Sequence, residues 1–482
     1  MALMLGIAQS MTALTPFNLP ERKKLLFLAM SGVRVFDQEL LSLGLTLPGF
    51  VERSRVIASL PSLGLLTLAA HTPADWSVAY REYDELPEDA AEQIVADGFM
   101  VVAISSLTAR IDETYVLASA LRSLGVVVIL GGLHVSALPD EAACHADIVV
   151  KGEGERLWPQ VITDLERGTW LSHYDAATAS VPSSFHEEQP VPRYDLLDLE
   201  RYNRLTLQTT RGCPLHCSFC AASRTISPYR KKSHEQIRRE LEAILSLWPR
   251  PFIELADDNT FVDKKWSRDL VRLLSEYPVK WFTESDISLA DDDELLHLLG
   301  DSGCTQVLIG LESAASESMR GVDAQDWKSR RHRDYAEQVR RIQDHGISVN
   351  GCFILGFDQD GPDIFQRTLD YIDSLELSEA QITLLTPFPG TSLRQQLAAE
   401  GRLLADASWS QHTLFDLTFQ PAQMSVESMK QGFRWLMKEV YSDQRVASRR
   451  KTFKNCIRHS RHELHRIPFT PVAAPADFSV QL

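Results

Sequence analysis

The stretch Arg211-Gly-Cys-Pro-Leu-His-Cys-Ser-Phe-Cys220 carries Cys213, Cys217 and Cys220 with three and then two residues between them. It follows directly on a strand-like run at 205–210, so three thiols gather on one loop at a strand end. A closed zinc site or an electron-transfer cluster takes four protein ligands, and His216 is the only nearby candidate for a fourth. Three thiolates alone suit a four-iron, four-sulfur cluster with one iron left open. An open coordination position is where substrate chemistry occurs at metal centres. A zinc knuckle is the competing reading, but no partner pair completes it.

Outward from this loop, strand and helix patterns alternate in both directions. Towards the carboxyl end they predict a helix at 233–248, a strand at 252–256, a helix at 264–276 and a strand at 280–283, then strands at 306–311, 348–355, 381–385 and 414–419. Ser233 with Gln236 predicts a capping box, after which Ile237, Leu241, Ile244 and Trp248 share one helix face. This order predicts a parallel βα barrel or a partial one.

Towards the amino end, strands are predicted at 25–30, 65–70, 99–105, 126–130 and 148–151, with helices at 112–124 and 153–165. That alternation implies an open, doubly wound parallel sheet. Such sheets bind ligands beyond the carboxyl ends of their strands, which places Ser105, Ser106, Gly131 and Gly132 at the rim. Residues 170–202, rich in Ser, Pro, Asp and Glu, read as a linker. The expected organisation is an amino-terminal segment at 1–23, the sheet domain at 24–169, the linker at 170–202, the barrel at 203–395, a small and mostly helical carboxyl-terminal region at 396–466 and a disordered tail at 467–482.

Composition narrows the class. With 482 residues, 44% of them hydrophobic and 24% charged, the chain has material for two folded cores. The 65 acidic against 49 basic residues give a formal charge of -16, which argues against general nucleic-acid binding. No apolar run approaches the roughly 18 residues of a membrane span, and no basic residue precedes Arg22 to form a secretory n-region. Seven cysteines, an odd number with three clustered, point to a metal site in a reducing cytoplasm rather than to a disulfide framework. Cys144, Cys304, Cys352 and Cys456 stand singly and are expected to be buried, unreactive thiols. The basic residues after 440 are read as the solvated face of a helix, and Phe415, Phe419, Phe433 and Trp435 as core packing.

The cysteine spacing, with Phe219 just before the last Cys, resembles the radical S-adenosylmethionine superfamily. In that family the open iron is chelated by S-adenosylmethionine, and an electron from the cluster releases a 5'-deoxyadenosyl radical. The resemblance implies contacts to S-adenosylmethionine from Phe219, from Asp257, Asp258 and Asn259 after the 252–256 strand, from Glu284 and Ser285, and from Gly310 and Glu312. The bland reading of Asp257 and Asp258 is helix capping, and that of Glu312 a surface acid.

The runs 61–69, 129–134, 138–141 and 149–155 resemble, in this order, the cobalamin-binding domains of one large class of these enzymes, as do 387–391 and 409–435. The resemblance implies corrinoid contacts from Ser105, Ser106, Gly131, Gly132, His134, Gly152 and Glu153. The Asp-x-His-x-x-Gly motif that supplies a lower cobalt ligand elsewhere is absent, and His134 serves equally well as a loop anchor.

The implied function is methylation of an unactivated carbon of a small or medium-sized substrate, through methylcobalamin and a 5'-deoxyadenosyl radical. The implied cofactors are a 4Fe-4S cluster, S-adenosylmethionine and cobalamin, with a flavodoxin or ferredoxin as electron donor. A cobalamin-dependent cyclase or ring-rearranging enzyme and a corrinoid or iron-sulfur sensor are the alternatives.

Overall fold

The computed structural model describes residues 23–32, 39–40, 60–179, 185, 189–221 and 226–464. These fall into two compact units. One gathers the described residues of Met1–Asp37, Ser54–Pro249 and Thr386–Phe419; the other gathers those of Gln38–Arg53, Arg250–Leu385 and Gln420–Leu482. The expectations for 1–22 and for the tail at 467–482 lie outside the described residues.

The first unit is built on a six-stranded, wholly parallel sheet made of β1 (Lys23–Met30), β2 (Trp76–Glu82), β3 (Val101–Ser106), β4 (Val127–Gly131), β5 (Ile148–Lys151) and β6 (His173–Asp175), in the order β2-β1-β3-β4-β5-β6. Alternation along β1 feeds both faces. Leu26, Leu28 and Met30 pack into one core with Ile94, Ile111, Leu117 and Leu121. Leu25, Phe27 and Ala29 pack into the other with Leu65, Trp158, Val161 and Leu165. A strand buried on both faces reads as a continuous apolar run, which is why β1, β3, β4 and β5 stand out in the sequence.

The run at 65–70, expected as a strand, is helical over Leu63–Ala70. Leu and Ala favour helices, and the one β-branched residue, Thr67, donates its hydroxyl to the Leu63 carbonyl at 2.8 Å. Only Leu65, Leu66 and Ala69 of this helix are buried, a one-sided pattern. The edge strand β2 lacks a continuous apolar run. Residues 170–202 also hold ordered structure: β6 and short helical turns at Tyr194–Leu196 and Leu199–Arg201. Arg201 Nη1 donates to the Glu82 carbonyl at 3.1 Å and the Tyr202 hydroxyl donates to the Glu82 carboxylate, fastening the end of this segment to the rim of β2.

After the short strands β7 (Leu205–Leu207), β8 (Thr210–Arg211) and β9 (Arg230–Lys231) comes the βα series of the second unit. Its strands are β10 (Phe252–Leu255), β11 (Lys280–Ser285), β12 (Cys304–Glu312), β13 (Ser348–Leu355) and β14 (Glu379–Leu384). Each pairs in parallel with the next, with helices at Lys264–Ser275, Asp293–Asp301, Tyr335–Asp344 and Ile364–Ser374 between them. Consecutive parallel neighbours with helical crossovers are the repeating unit of a βα barrel. The series does not close on itself among the described residues.

Smaller expectations are corrected. Ser233 does cap the helix His234–Leu247, accepting from the Gln236 amide at 3.1 Å. The Gln236 side chain, however, donates to Glu240 at 2.7 Å instead of returning to the cap, so the box is half formed. Residues 414–419 form no strand: the Thr413 hydroxyl accepts from the Phe415 and Asp416 amides and bends the chain, leaving one isolated bridge between Leu403 and Phe419. Phe415, Phe419 and Phe433 are buried as core residues, whereas Trp435 is exposed. Cys144 is exposed, not buried, on a short turn that the apolar count around it disguised. Helices Val426–Val440 and Asp443–Leu464 follow, and no described helix is long and apolar enough to cross a membrane.

Phe27 is fully buried with its ring 5.6 Å from that of Trp158. Phe27→Ala is expected to lower unfolding stability by about 3–5 kcal/mol, read as a fall in the urea midpoint with little change in slope.

Candidate functional site

The cysteine loop leaves β8, which pairs antiparallel with β9 through Thr210↔Lys231 and Arg211↔Arg230. Gly212 opens the loop at φ +76, and a Cβ there would lie 2.8 Å from the Ser227 carbonyl oxygen and the Pro228 carbonyl carbon. Only glycine fits both the left-handed backbone and that approach. Further along, the Ser218 carbonyl accepts from the Leu393 amide at 3.0 Å and from the Ser392 hydroxyl at 3.1 Å, at the start of helix Ser392–Ala399. The loop is thus held at both ends. Cys217 is buried and Cys213 and Cys220 are partly so, and none is in a disulfide. Among the described residues no three His, Cys, Asp or Glu side chains converge on a point suited to one metal ion. Thiolates that each take a different iron of a cluster need not do so.

In the first unit a cavity of about 180 Å³ opens at the carboxyl ends of β3, β4 and β5. Seven of its seventeen lining residues are small, namely Gly64, Ala103, Ser105, Gly131, Gly132, Gly152 and Gly154, and most of the others are larger apolar residues such as Leu65, Leu68, Ile129 and Trp158. Gly132 has φ +103, and a Cβ on it would come within 3.1 Å of the Ser105 hydroxyl, so the backbone itself forms the surface. The volume is below the roughly 300 Å³ of an ordinary enclosed ligand site. It suits part of a larger ligand, which the glycines at the strand ends let approach the backbone closely.

Of the seven residues expected at a corrinoid, Ser105, Gly131, Gly132, Gly152 and Glu153 line this cavity, whereas Ser106 and His134 are absent from its wall. Ser106 accepts from the Thr114 hydroxyl at 2.9 Å. His134 is buried: Nε2 lies 3.2 Å from the Glu141 carboxylate, Nδ1 lies 3.3 Å from the Thr108 hydroxyl, and the ring packs edge-on to Trp409 at 5.0 Å. Burial lowers its pKa. His134 therefore anchors the segment around Trp409, where Arg394 also lies 4.5 Å over the indole.

A charged network adjoins the cavity. Glu153, 3% exposed, accepts from Arg230 Nη1 at 2.9 and 3.0 Å, and from Arg211 and Arg156 at 3.4 Å each. Arg211 also pairs with Glu155, stacks 4.6 Å over Phe185 and donates to the Gln208 side chain. Burial alone would raise the Glu155 carboxyl, but the Arg211 guanidinium brings it below its ordinary range. The sequence reading missed Arg211 and Arg230, although Arg211 stands beside the cysteine motif.

In the second unit, the residues expected at S-adenosylmethionine fall into three groups. Asp257 and Asn259 are buried beyond β10. Asp257 accepts from the Thr260 hydroxyl at 2.9 Å, and Asn259 donates to Asp286 at 2.7 Å while accepting from its amide. Neither caps the following helix, whose cap is Asp263. Glu284, on β11, is accessible yet surrounded by protein. Removal from bulk water, then the charges of Glu254, Asp258 and Asp257, push its pKa up to about 8. Ser285, next to it, donates to the Asp286 carbonyl at 3.1 Å.

Gly310 and Glu312 form the third group. Glu312 is buried, not a surface acid, and pairs with Lys328 at 2.6 Å, while Lys328 also donates to the Gly310 carbonyl at 3.1 Å. Glu312 has φ 64, and its carboxylate occupies the place of a Gly310 Cβ. Lys328 lies sixteen residues on in the short helix Trp327–Arg331, with no motif to reveal it.

Residues 207–372 match the radical SAM superfamily, 55–162 match the B12 binding domain, and 391–474 match a domain of unknown function. A bacteriochlorophyllide d C-12(1)-methyltransferase of Chlorobaculum tepidum is 28% identical over 378 residues, 77% of this chain and 79% of that protein. A bacteriochlorophyllide d C-8(2)-methyltransferase of the same organism is 25% identical over 350 residues, covering 68% and 75%. Among solved structures, a radical S-adenosylmethionine methyltransferase from Kitasatospora setae, with cobalamin and a 4Fe-4S cluster bound, is similar with a TM-score of 0.66. It is 16% identical and covers 92% of this chain and 100% of that one.

Two outcomes are expected. Gly212→Ala should lower the iron retained after reconstitution several-fold while the far-ultraviolet spectrum stays unchanged, because the clash is confined to the loop. A raised carboxyl pKa means that the folded state holds a proton which the unfolded state releases. Stability contributed at Glu284 is therefore full below about 4.5 and is lost as pH rises to about 8. Glu284→Gln should flatten that part of the decline, seen in melting temperatures of the cofactor-free protein at pH 6 and pH 8.5.

Proposed function

The chain belongs to the radical SAM superfamily, carries a B12-binding domain ahead of its radical SAM domain and is homologous to cobalamin-dependent radical SAM methyltransferases; from that premise we propose that it methylates an unactivated carbon of a small or medium-sized substrate. The observation that carries the reading is the presence, in one compact unit, of a three-cysteine loop and a glycine-walled cavity at parallel strand ends. When bound, the cluster with S-adenosylmethionine supplies carbon-radical chemistry and cobalamin supplies methyl-donor chemistry, so the protein's tasks are binding, orientation and exclusion of water.

Cys213, Cys217 and Cys220 would hold the cluster and leave one iron for S-adenosylmethionine, with Phe219 contacting that molecule from the same loop. Asp258 and Glu284, with Asp257 and Ser285 buried beside them, offer an acidic and hydroxyl-bearing site suited to a cationic, ribose-bearing molecule. Asn259 orders the Asp286 turn beside them. Glu312 and Gly310, tied by Lys328, shape that site from β12. Ser105, Gly131, Gly132, Gly152 and Glu153 would bound the corrinoid; His134 and Ser106 support the fold behind it.

The boundaries 24–169 for the corrinoid domain, 203–395 for the radical domain and 396–466 for the carboxyl-terminal region belong to the same proposal. So do a flavodoxin or ferredoxin as electron donor, a reducing cytoplasm as the working compartment and the absence of a nucleic-acid partner, which the charge of -16 supports.

The test is anaerobic purification with cobalamin supplied, followed by S-adenosylmethionine and a strong reductant. About four irons and one cobalt per chain are expected, with 5'-deoxyadenosine formed by the wild type and abolished in Cys213→Ala, Cys217→Ala and Cys220→Ala. A product heavier by one methylene supports methyl transfer. Iron and deoxyadenosine without cobalt would remove cobalamin from the reading, and zinc alone would remove the cluster.

A further inference from the structure

The residue that begins the cysteine loop also walls the cavity. Arg211 is among the residues lining it, together with Glu153, Gly154 and Glu155 at the start of helix Gly154–Arg167. One guanidinium thus bridges two carboxylates on the cavity rim, while its backbone pairs with Arg230 and leads directly into Gly212 and Cys213. Arg230, the strand partner of Arg211, reaches the same Glu153. Both strands that support the loop therefore end on one buried carboxylate of the cavity wall. Glu153 and Glu155 thus join the cavity wall at the helix start to Arg211.

We propose that Arg211 is a positioning residue that couples the two sites, so that a corrinoid in the cavity and a cluster in the cysteine loop each stabilise the binding of the other. This rests on the corrinoid reading of the cavity given above. Coupling between binding sites is reciprocal, so the effect can be read from either ligand. Charge accounting identifies the informative variants. Without Arg211, Glu153 keeps Arg230 and Arg156, but Glu155 loses the cation that offsets its burial. The double variant Arg211→Ala/Glu155→Gln removes the bridge and the stranded charge together, and Arg211→Lys keeps the charge but not the fork.

The experiment titrates hydroxocobalamin, followed by its visible spectrum, into anaerobically reconstituted full-length protein. It is run on each background with the cluster present and with the Cys213→Ala/Cys217→Ala/Cys220→Ala loop, and the electron paramagnetic resonance of the reduced cluster is recorded alongside. In otherwise wild-type protein the cluster is expected to tighten hydroxocobalamin binding by about 10-fold, and hydroxocobalamin to shift the cluster spectrum. In Arg211→Ala/Glu155→Gln both effects should vanish while iron content and melting temperature stay near wild type. Arg211→Lys should restore part of the ratio.

The same ratio in wild type and in the double variant would overturn the coupling role of Arg211 alone. A wild type that assembles its cluster yet takes up no hydroxocobalamin would overturn the corrinoid reading first, and this inference with it.

Discussion

A carboxyl group that is 3% exposed has to be paired, hydrogen-bonded or protonated, because an isolated buried charge costs more than packing returns. At Glu153 three arginines meet that demand, and they come from different places: Arg156 from its own helix, Arg211 and Arg230 from the two strands that flank the cysteine loop. Much of the first unit's functional geometry follows from this pairing. It ties the N-cap of helix Gly154–Arg167, on the wall of the cavity, to the strand from which the cysteine loop departs and to the strand that follows it.

The second unit treats two of its carboxylates in opposite ways. Glu312 is neutralised by Lys328 and locked over Gly310, a rigid arrangement that uses its charge internally. Glu284, accessible on β11, has Glu254, Asp258 and Asp257 around it, and their charges add to removal from bulk water in raising its pKa. A surface of the first kind is structural. A surface of the second kind gives up its proton when positive charge arrives, and so it can respond to a ligand.

The cysteine triad and the double alternation of strands and helices were legible from the chain alone, because thiol spacing and buried parallel strands leave strong local patterns. Gly131 and Gly132 at the end of β4 were legible for the same reason, since a strand that stops on glycine marks a surface made of backbone, whereas Gly152 after β5 came only with the resemblance. What escaped was decided by partners distant in sequence. Leu63–Ala70 has the composition of either a buried strand or a helix, and its one-sided burial settles the matter. His134 stood open between corrinoid contact and loop anchor, and Glu141, Thr108 and Trp409 hold it in the second role. Lys328 and Arg230 carry no motif; only folding brings them to the carboxylates they serve.

The first unit is not contiguous in the chain. The Ser410 amide donates to Asp112 at 3.2 Å, and Trp409 covers His134, across almost three hundred residues. During synthesis the sheet can therefore assemble long before its last piece exists. The aromatic and histidine surface around Tyr115 and His134 stays uncovered until the whole second βα series and the residues up to 419 have left the ribosome. The chain matures by returning to its beginning, and a nascent intermediate with that surface bare is a natural client for chaperones.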